Sequence, residues 1–453
     1  NSIHTPEQPP CEAKDSLVLC GPRLDGLPKI ARSCACNEEV SLHNRALSWQ
    51  ISPHPGTWFL ADQRFRKTQV YQNLFAVPVN WVSFDDWVSR FDLAKQFRMR
   101  SARDRLQTLL PDLPSWVYTT HMFVKREQVF KLSFLVNDDE QFDPRSIQGM
   151  SDEMQVLIGP DTFSISKHVS KIWNLDHCHE KLSVVYAAGL TAEDLGAWYH
   201  FQQSRGLTSA LELDAYRFDV SVSQCALKSK FLLFSELGAP VATKAALAHQ
   251  FKGKGVTLHN IKYYVVATQR SGYGDTSVGN TVTSAKMSCF VIEECPFFHL
   301  PHNSAAVLIM GDDVLIMSTE PVIVWLKDHA IEIYERFGFK MELERRSQPE
   351  FCSGLFWPID HGYKFGPKPG RVLSKSFFLR RSDISDPFSH TLAVAQCLHF
   401  NGAHLPVYGT LMKRIVDLLW WTTPEDTKEF QFKINAAHKS KTVSDQSKVF
   451  FCQ

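Results

Sequence analysis

Two adjacent carboxylates, Asp312 and Asp313, stand in "AAVLIMGDDVLIMS" between the apolar runs Val307 to Met310 and Val314 to Met317. The stretch predicts a buried hairpin with a charged tip at Gly311-Asp312-Asp313. A plain turn is the simpler alternative, because Gly and Asp are ordinary turn formers. Neighbouring carboxylates between apolar strands, however, repel each other and resist desolvation, and a divalent cation is the natural compensation. A second pair, Asp214 and Asp219, lies in "LELDAYRFDVSVS". Strand alternation places Leu211 and Leu213 on one face and leads to Asp214 at a strand end. Taken alone these could be surface loop acids. Two carboxylate sites from different strands, meeting at one tip, are what two-metal phosphoryl transfer requires, since the ions clamp the attacking and leaving oxygens and hard cations prefer oxygen ligands. Between the two stretches lies "QRSGYGDTSVGNTVTSAKM", a Ser271-Gly272 turn followed by a helix predicted from Thr276. Thr276 and Asn280 would share one helical face, suited to a sugar hydroxyl.

The elements that must hold these residues are partly readable. Ser83 followed by Asp86 resembles a capping box, and Phe84, Trp87, Val88 and Phe91 predict a helix with a buried face. Its continuation carries Arg90, Lys95, Arg98, Arg100, Arg103 and Arg105, either a solvated face or an RNA contact. Gly and Pro punctuate the chain at Asp143-Pro144, Gly159-Pro160, Gly238-Ala-Pro240 and Gly253-Lys-Gly255. Thr391 to His399 and Gly409 to Trp421 are the C-terminal candidate helices, the first stopped by Asn401-Gly402. Residues 1 to about 56 predict an irregular arm with little core of their own. With 44% apolar and 12% aromatic residues the chain is not a disordered one, and a net charge of +1 excludes a bulk polycation, so a nucleic-acid surface must be local. Its 11 Cys, an odd number without a repeating framework, favour a reducing compartment. The start at Asn1 suggests a fragment or processed product.

In order, Asp-x4-Asp, Ser-Gly-x3-Thr-x3-Asn and Gly-Asp-Asp resemble motifs A, B and C of the RNA-dependent RNA polymerases of positive-strand RNA viruses. "DAYRFDVSVS" and "RSGYGDTSVGN" look most like the tombusvirus-like branch, although Tyr273-Gly274-Asp275 departs from its usual wording. Weaker likenesses extend the match: "FVKREQ" and "DPRSIQ" resemble the basic motif F, "FGFKMELE" motif D and "EFCSG" motif E. The resemblance implies that Asp214, Asp312 and Asp313 bind two Mg²⁺ (or Mn²⁺) ions. It implies that Asp219 and Asn280, assisted by Ser271 and Thr276, recognise the ribose 2'-hydroxyl. Lys125, Arg126 and Arg145 would neutralise the triphosphate, and Lys340 would protonate the pyrophosphate leaving group. A basic loop, "GPKPGRVLSK", would either grip template or primer phosphate or be solvated.

The implied fold is α/β (α+β), a right-hand polymerase whose palm is built of antiparallel strands and helices. Residues 1–205 would be arm and fingers, with motif F near 123–148; 206–224 palm motif A; 225–262 a fingers insertion; 263–358 palm motifs B to E; and 359–453 a mainly helical thumb. The expected function is RNA-directed RNA synthesis for a viral genome. Its partners would be RNA template, nascent strand and NTPs, together with other viral replication proteins and a host membrane reached through segments outside this chain. The expected location is a membrane-associated replication complex in the host cytoplasm. The alternative is an inactive palm-fold RNA-binding or scaffold protein, against which the intact acids argue. Asp176-His177-Cys178-His179-Glu180 offers metal-ligand types, but neighbours this close cannot all converge on one ion.

Overall fold

The computed structural model describes residues 2–6, 17–19, 29–30, 33–48, 51–125, 128–129, 143–380 and 386–420. Arg126, Trp421 and the tail beyond it lie outside them.

The acidic hairpin is the centre of the molecule. Ala305–Met310 and Asp313–Ser318 pair antiparallel, from Ala305 opposite Ser318 to Met310 opposite Asp313. Gly311 turns the corner at φ +69°, where a side chain would be strained. The sheet around it has five strands in the order Met341–Glu344, Ser209–Ala215, Asp313–Ser318, Ala305–Met310, Leu182–Tyr186. Only the last pair is parallel.

Both faces of this sheet are buried. Val307, Ile309, Val314 and Ile316 pack with helices Thr276–Glu294 and Glu320–Arg336, whereas Ala306, Leu308, Leu315 and Met317 pack with Trp198 and Tyr199 of helix Ala192–Ser204 and with Phe356 and Phe365. Burial on two faces is why these strands read as unbroken apolar runs rather than as alternation. Each such side chain contributes about 1.5–3 kcal/mol relative to exposure. Leu182–Tyr186 comes from within 1–205, so the sheet that carries the acids begins before residue 206.

A second five-stranded sheet runs Ser2–His4, Lys262–Val266, Lys252–Thr257, Thr120–Val124, Ser146–Gly149. Gly253 and Gly255, expected as punctuation, lie inside its Lys252–Thr257 strand. A Cβ on Gly255 would stand 2.1 Å from the Tyr263 ring, so this glycine makes room for a cross-strand aromatic rather than a turn. Gly159-Pro160 is likewise internal, within helix Asp152–Ile172.

The N-terminal arm is more ordered than expected. Ala35–Arg45 is a helix whose Leu42 packs with Met122, Tyr263 and Val265 of the second sheet and with Ile261 just before it, and Ser2–His4 adds a strand to that sheet's edge. The helix has no side-chain cap at Cys34 and few buried apolar residues, so neither a start signal nor periodicity announced it.

Ser83 does cap a helix, accepting from the Asp86 N–H at 3.1 Å, but that helix is only Phe84–Ser89. A separate helix, Leu93–Leu109, begins after Asp92, which caps the Lys95 N–H at 2.8 Å. The basic stretch is ion-paired: Arg98 with Asp152, Arg100 and Arg103 with Asp85, Arg105 with Glu153.

Beyond the central sheet, Glu350–Phe351, Gly354–Ile359 and Gly362–Pro367 form a meander. Helices Pro387–Gly402 and Tyr408–Trp420 close the described chain. The first starts four residues earlier than expected, at an Asp386 cap followed by Pro387. The α/β class matches expectation.

Candidate active site

Asp214, Asp312 and Asp313 line one cavity of about 760 Å³. Their meeting follows from register: Val314 pairs with Leu213, so one further antiparallel step sets Asp313 opposite Asp214. On the other side of its strand, Asp214 pairs with Glu342, a carboxylate that sequence reasoning passed over. The tip is tied to the buried helix Thr276–Glu294, because the Gly311 N–H donates to Thr281 Oγ1 (2.9 Å) and Ser284 Oγ donates to the Gly311 carbonyl (2.8 Å).

Asp219 sits on the short helix Phe218–Ser221, entered through Arg217 at φ 52°. It also lines the cavity, and it accepts Asn280 Nδ2 at 3.0 Å. Its carbonyl accepts the Gln269 N–H, also at 3.0 Å. Behind this pair is a buried cluster in which Lys230 Nζ donates to Asp275 Oδ2 (2.6 Å), Gln269 Oε1 (2.6 Å) and Gln250 Oε1 (3.2 Å). Gln269 Nε2 in turn reaches Thr276 Oγ1 at 3.3 Å.

The electrostatics are those of buried acids that repel one another, only partly offset by Arg145 and Arg371. Burial raises the Asp214 carboxyl above its usual range, and the charges of Asp312 and Glu342 raise it further. Burial and Asp312 push Asp313 up to about 7, against a Cys352 hydrogen bond. Burial and Asp312 push Asp219 likewise up to about 7, with Asn280 opposing. Asp312 itself is raised by burial, with Arg145 opposing.

Oxygen-only donors that raise one another's proton affinity suit a hard divalent cation. Among the described residues no group of three or more His, Cys, Asp or Glu side chains is already placed to hold a metal ion.

Residues 170–392 match the family model described as RNA dependent RNA polymerase. This stretch, just under half of the chain, is similar to RNA-dependent RNA polymerases. The RNA-directed RNA polymerase of Tobacco necrosis virus (strain A) is 27% identical over 323 residues, 68% of this chain and 42% of that one. A protein of Barley yellow dwarf virus (isolate MAV) is 27% identical over 212 residues, 45% of this chain and 24% of that one. The replicase large subunit of Potato mop-top virus (isolate Potato/Sweden/Sw) is 24% identical over 211 residues, covering 46% of this chain and 11% of that one. The chain therefore spans well under two thirds of the length of these relatives.

Of the residues expected at the site, Asp214, Asp219, Ser271, Asp312, Asp313 and Arg145 line the cavity. Ser271 Oγ accepts the Gln148 N–H (3.1 Å) and donates to the Ser146 carbonyl (3.2 Å), fastening the Ser271-Gly272 turn to strand Ser146–Gly149. Asn280 reaches the site through Asp219, and Thr276 stands behind, donating to the Arg270 carbonyl at 2.6 Å. Lys125 lies off the lining, its N–H on the Arg145 carbonyl at 2.6 Å. Lys340 is also off the lining, exposed, with its ammonium 5.4 Å from the Tyr216 ring centre.

Sequence reasoning missed Arg45 and Arg217, which line the cavity; Arg371 of the basic loop and Cys352 of "EFCSG" line it too. It also missed Arg346, which bridges Glu212 (2.6 Å) and Glu350 (2.9 Å). The alternating Glu342 and Glu344 of the strand were the one legible signal among the omissions.

Proposed function

We propose that this chain carries out template-directed RNA synthesis for a viral RNA genome, by two-metal nucleotidyl transfer. The observation that carries the proposal is the convergence of Asp214, near the end of its strand, with Asp312 and Asp313 at the hairpin tip, on a cavity that Asp219 and Asn280 also serve. Two Mg²⁺ (or Mn²⁺) ions, when bound, would supply charge neutralisation and a more acidic attacking hydroxyl. Asp214 and Asp312 would hold them, with Asp313 as accessory ligand. The attacking group is the 3'-hydroxyl of the growing RNA, which bonds to the α-phosphate of an NTP as the bond to pyrophosphate breaks. Asp219 and Asn280 would accept from and donate to the ribose 2'-hydroxyl, which gives ribonucleotides their preference. Arg145 would face the triphosphate. Lys340, where it stands, contributes a cation near Tyr216 rather than a proton donor in the cavity.

The partners in this proposal are RNA template, nascent strand and NTPs, with other viral replication proteins. A membrane-associated replication complex in the host cytoplasm is the proposed setting. No described helix is long and apolar enough to cross a membrane. The test is labelled NTP incorporation on a short RNA template with Mg²⁺, comparing the chain with Asp312→Ala. Incorporation that disappears in the variant is the expected result. RNA binding without incorporation, on primed and unprimed templates alike, would overturn it.

A further inference from the structure

Arg270, the residue before the Ser271-Gly272 turn, is 1% exposed and among the largest fully buried side chains of the molecule. Among the described residues no carboxylate pairs with it: Nη1 donates to Gln148 Oε1 (3.1 Å) and to Thr268 Oγ1 (3.0 Å), and Nη2 has no hydrogen-bond partner. Burial holds this guanidinium below its ordinary range, opposed only by Tyr263 and Tyr273. A buried charge without a counter-charge is costly, and apolar side chains of similar volume often replace buried ions without loss of stability. The residue therefore has a use other than holding the fold together. Room is kept for it, since a Cβ on Gly253, in strand Lys252–Thr257, would stand 2.5 Å from Arg270 Nη2.

The guanidinium sits at the seam between the second sheet and the turn. Gln148, whose Oε1 also accepts from the Tyr263 hydroxyl at 3.3 Å, belongs to strand Ser146–Gly149. Its carbonyl accepts the Gly272 N–H (3.2 Å), its N–H donates to Ser271 Oγ (3.1 Å), and Gly149 and Gly272 form a parallel bridge, so the turn is an added edge of that sheet. A Cβ on Gly272 would meet the Gln148 carbonyl oxygen at 2.7 Å, which is why this approach needs glycine. On its backbone side, the Arg270 carbonyl accepts the Tyr273 N–H (3.0 Å) and Thr276 Oγ1 (2.6 Å), at the start of helix Thr276–Glu294, whose Asn280 holds Asp219. Arg270 thus has the second sheet at its side chain and the Asn280–Asp219 pair beyond its backbone. We propose that Arg270 is a positioning residue: by holding Gln148 it locks the Ser271-Gly272 turn to the second sheet, and so fixes where Ser271, Asn280 and Asp219 stand toward the incoming nucleotide. This role rests on the polymerase function proposed above. It is exerted through Gln148 and the turn, with no contact to substrate.

The experiment uses the full chain with Arg270→Met, Arg270→Lys, Gly253→Ala, and Gly253→Ala added to Arg270→Met. Melting midpoint, hydrogen exchange of the Gly272 amide, kcat and KM for NTP on a primed RNA template, and affinity for that RNA are measured. Arg270→Met should keep the parent's midpoint within a few degrees, yet exchange the Gly272 amide about tenfold faster, the effect of one lost hydrogen bond to a charged group. Its kcat should fall about tenfold or more, since a displacement of about 1 Å near reacting atoms can cost on the order of a hundredfold. RNA affinity should stay within about twofold, because a buried guanidinium meets no phosphate. Arg270→Lys, which keeps the charge and can still donate to Gln148, should recover part of both losses. Gly253→Ala should displace the guanidinium and show the same losses in milder form, but should lower kcat no further in the Arg270→Met background. The other close neighbour of that Cβ, the His249 carbonyl at 3.2 Å, is the same in both backgrounds. Parent-like exchange and kcat in a folded Arg270→Met overturn the proposal and leave the polymerase function standing. Losses that track a lowered midpoint, without recovery in Arg270→Lys, make Arg270 a group of the fold alone and also overturn it. If Arg270→Met does not fold, Gly253→Ala decides, by whether its Gly272 amide exchanges faster and its kcat falls at an unchanged midpoint. If the parent incorporates nothing, the polymerase function fails, and exchange alone decides whether Arg270 holds the turn.

Discussion

Asn280 and Asp219, 61 residues apart in sequence, are joined by a hydrogen bond of 3.0 Å at the wall of the acidic cavity. Asn280 lies on the buried helix Thr276–Glu294 and Asp219 on the short turn that follows Asp214's strand. Asn280→Ala should leave Asp219 without this donor and reduce the preference for ribo- over deoxynucleotides by about ten- to a hundredfold, the range for hydrogen bonds to charged groups. Single-nucleotide incorporation with matched NTP and dNTP measures it. Unchanged selectivity in an active variant removes Asn280 from sugar recognition.

The Asp219 carboxyl, pushed up to about 7 from 3.8, gives a pH-dependent stability of definite sign. Below both values the group is protonated in either state. Between them the unfolded chain has released its proton while the folded one retains it, so stability falls as pH rises through this window, by at most about 1.4 kcal/mol per pH unit. Asp219→Asn lacks this contribution. Without divalent ions, the variant should therefore gain stability relative to the parent between pH 4 and about 7, read from urea midpoints at several pH values. Parallel profiles would contradict the assignment.

Removing a charge from the acidic tip should have opposite effects with and without metal. In a chelator, Asp312→Ala should melt above the parent, because its carboxylate raises the proton affinity of Asp214 and Asp313 by repulsion. Added Mg²⁺ should raise the midpoint of the parent, through about 2.7 kcal/mol of added stability at a hundredfold excess over its dissociation constant, and leave the variant nearly unmoved. Equal Mg²⁺ responses would show that the ion binds elsewhere.

Lys230 and Asp275 are both almost wholly buried and 2.6 Å apart. Lys230→Met leaves the Asp275 charge without its cation and should cost about 3–5 kcal/mol, while adding Asp275→Leu should recover much of the loss. Denaturant midpoints of the single and double variants form the cycle. Because Gln269 joins Lys230 to Thr276 and to Asp219, the single variant should also loosen sugar selection.

The Leu93–Leu109 helix should be indifferent to RNA. Its Arg98, Arg100, Arg103 and Arg105 each meet a carboxylate, so neutralising Arg98 and Arg100 should change stability by under about 1 kcal/mol per pair. The salt dependence of RNA binding should keep its slope. A slope shallower by about one per arginine would reinstate the RNA contact.

The acids were legible because strand patterning is local: the apolar runs on either side of Gly311 and the alternation at Leu211 and Leu213 needed no knowledge of distant segments. The same holds for the Ser83 cap. Arg45 and Arg217 were not legible, because what makes them site residues is a shared carboxylate, Asp143, 98 and 74 positions away. The helix that ends at Arg45 was hidden among Gly, Pro and Cys, without a cap to announce it. Gly255 was misread because a glycine that admits a neighbouring ring looks, in one dimension, like a glycine that turns the chain. Whether a basic residue is paired or free is a similar matter of distant partners, which is why the Arg98 to Arg105 stretch could be read two ways.

The sheet buried on both faces also limits how this gene can change. A one-residue insertion or deletion in Ala305–Met310 or Asp313–Ser318 would send each side chain to the opposite face. The apolar count would survive, but Ala306 and Leu308 would have to fill the places of Val307 and Ile309, and the tip acids would swing out of line with Asp214. Substitutions that conserve volume are tolerated in such cores. The hairpin is therefore free to vary in letters and almost closed to variation in length, so frame-preserving insertions in viable genomes should accumulate outside it.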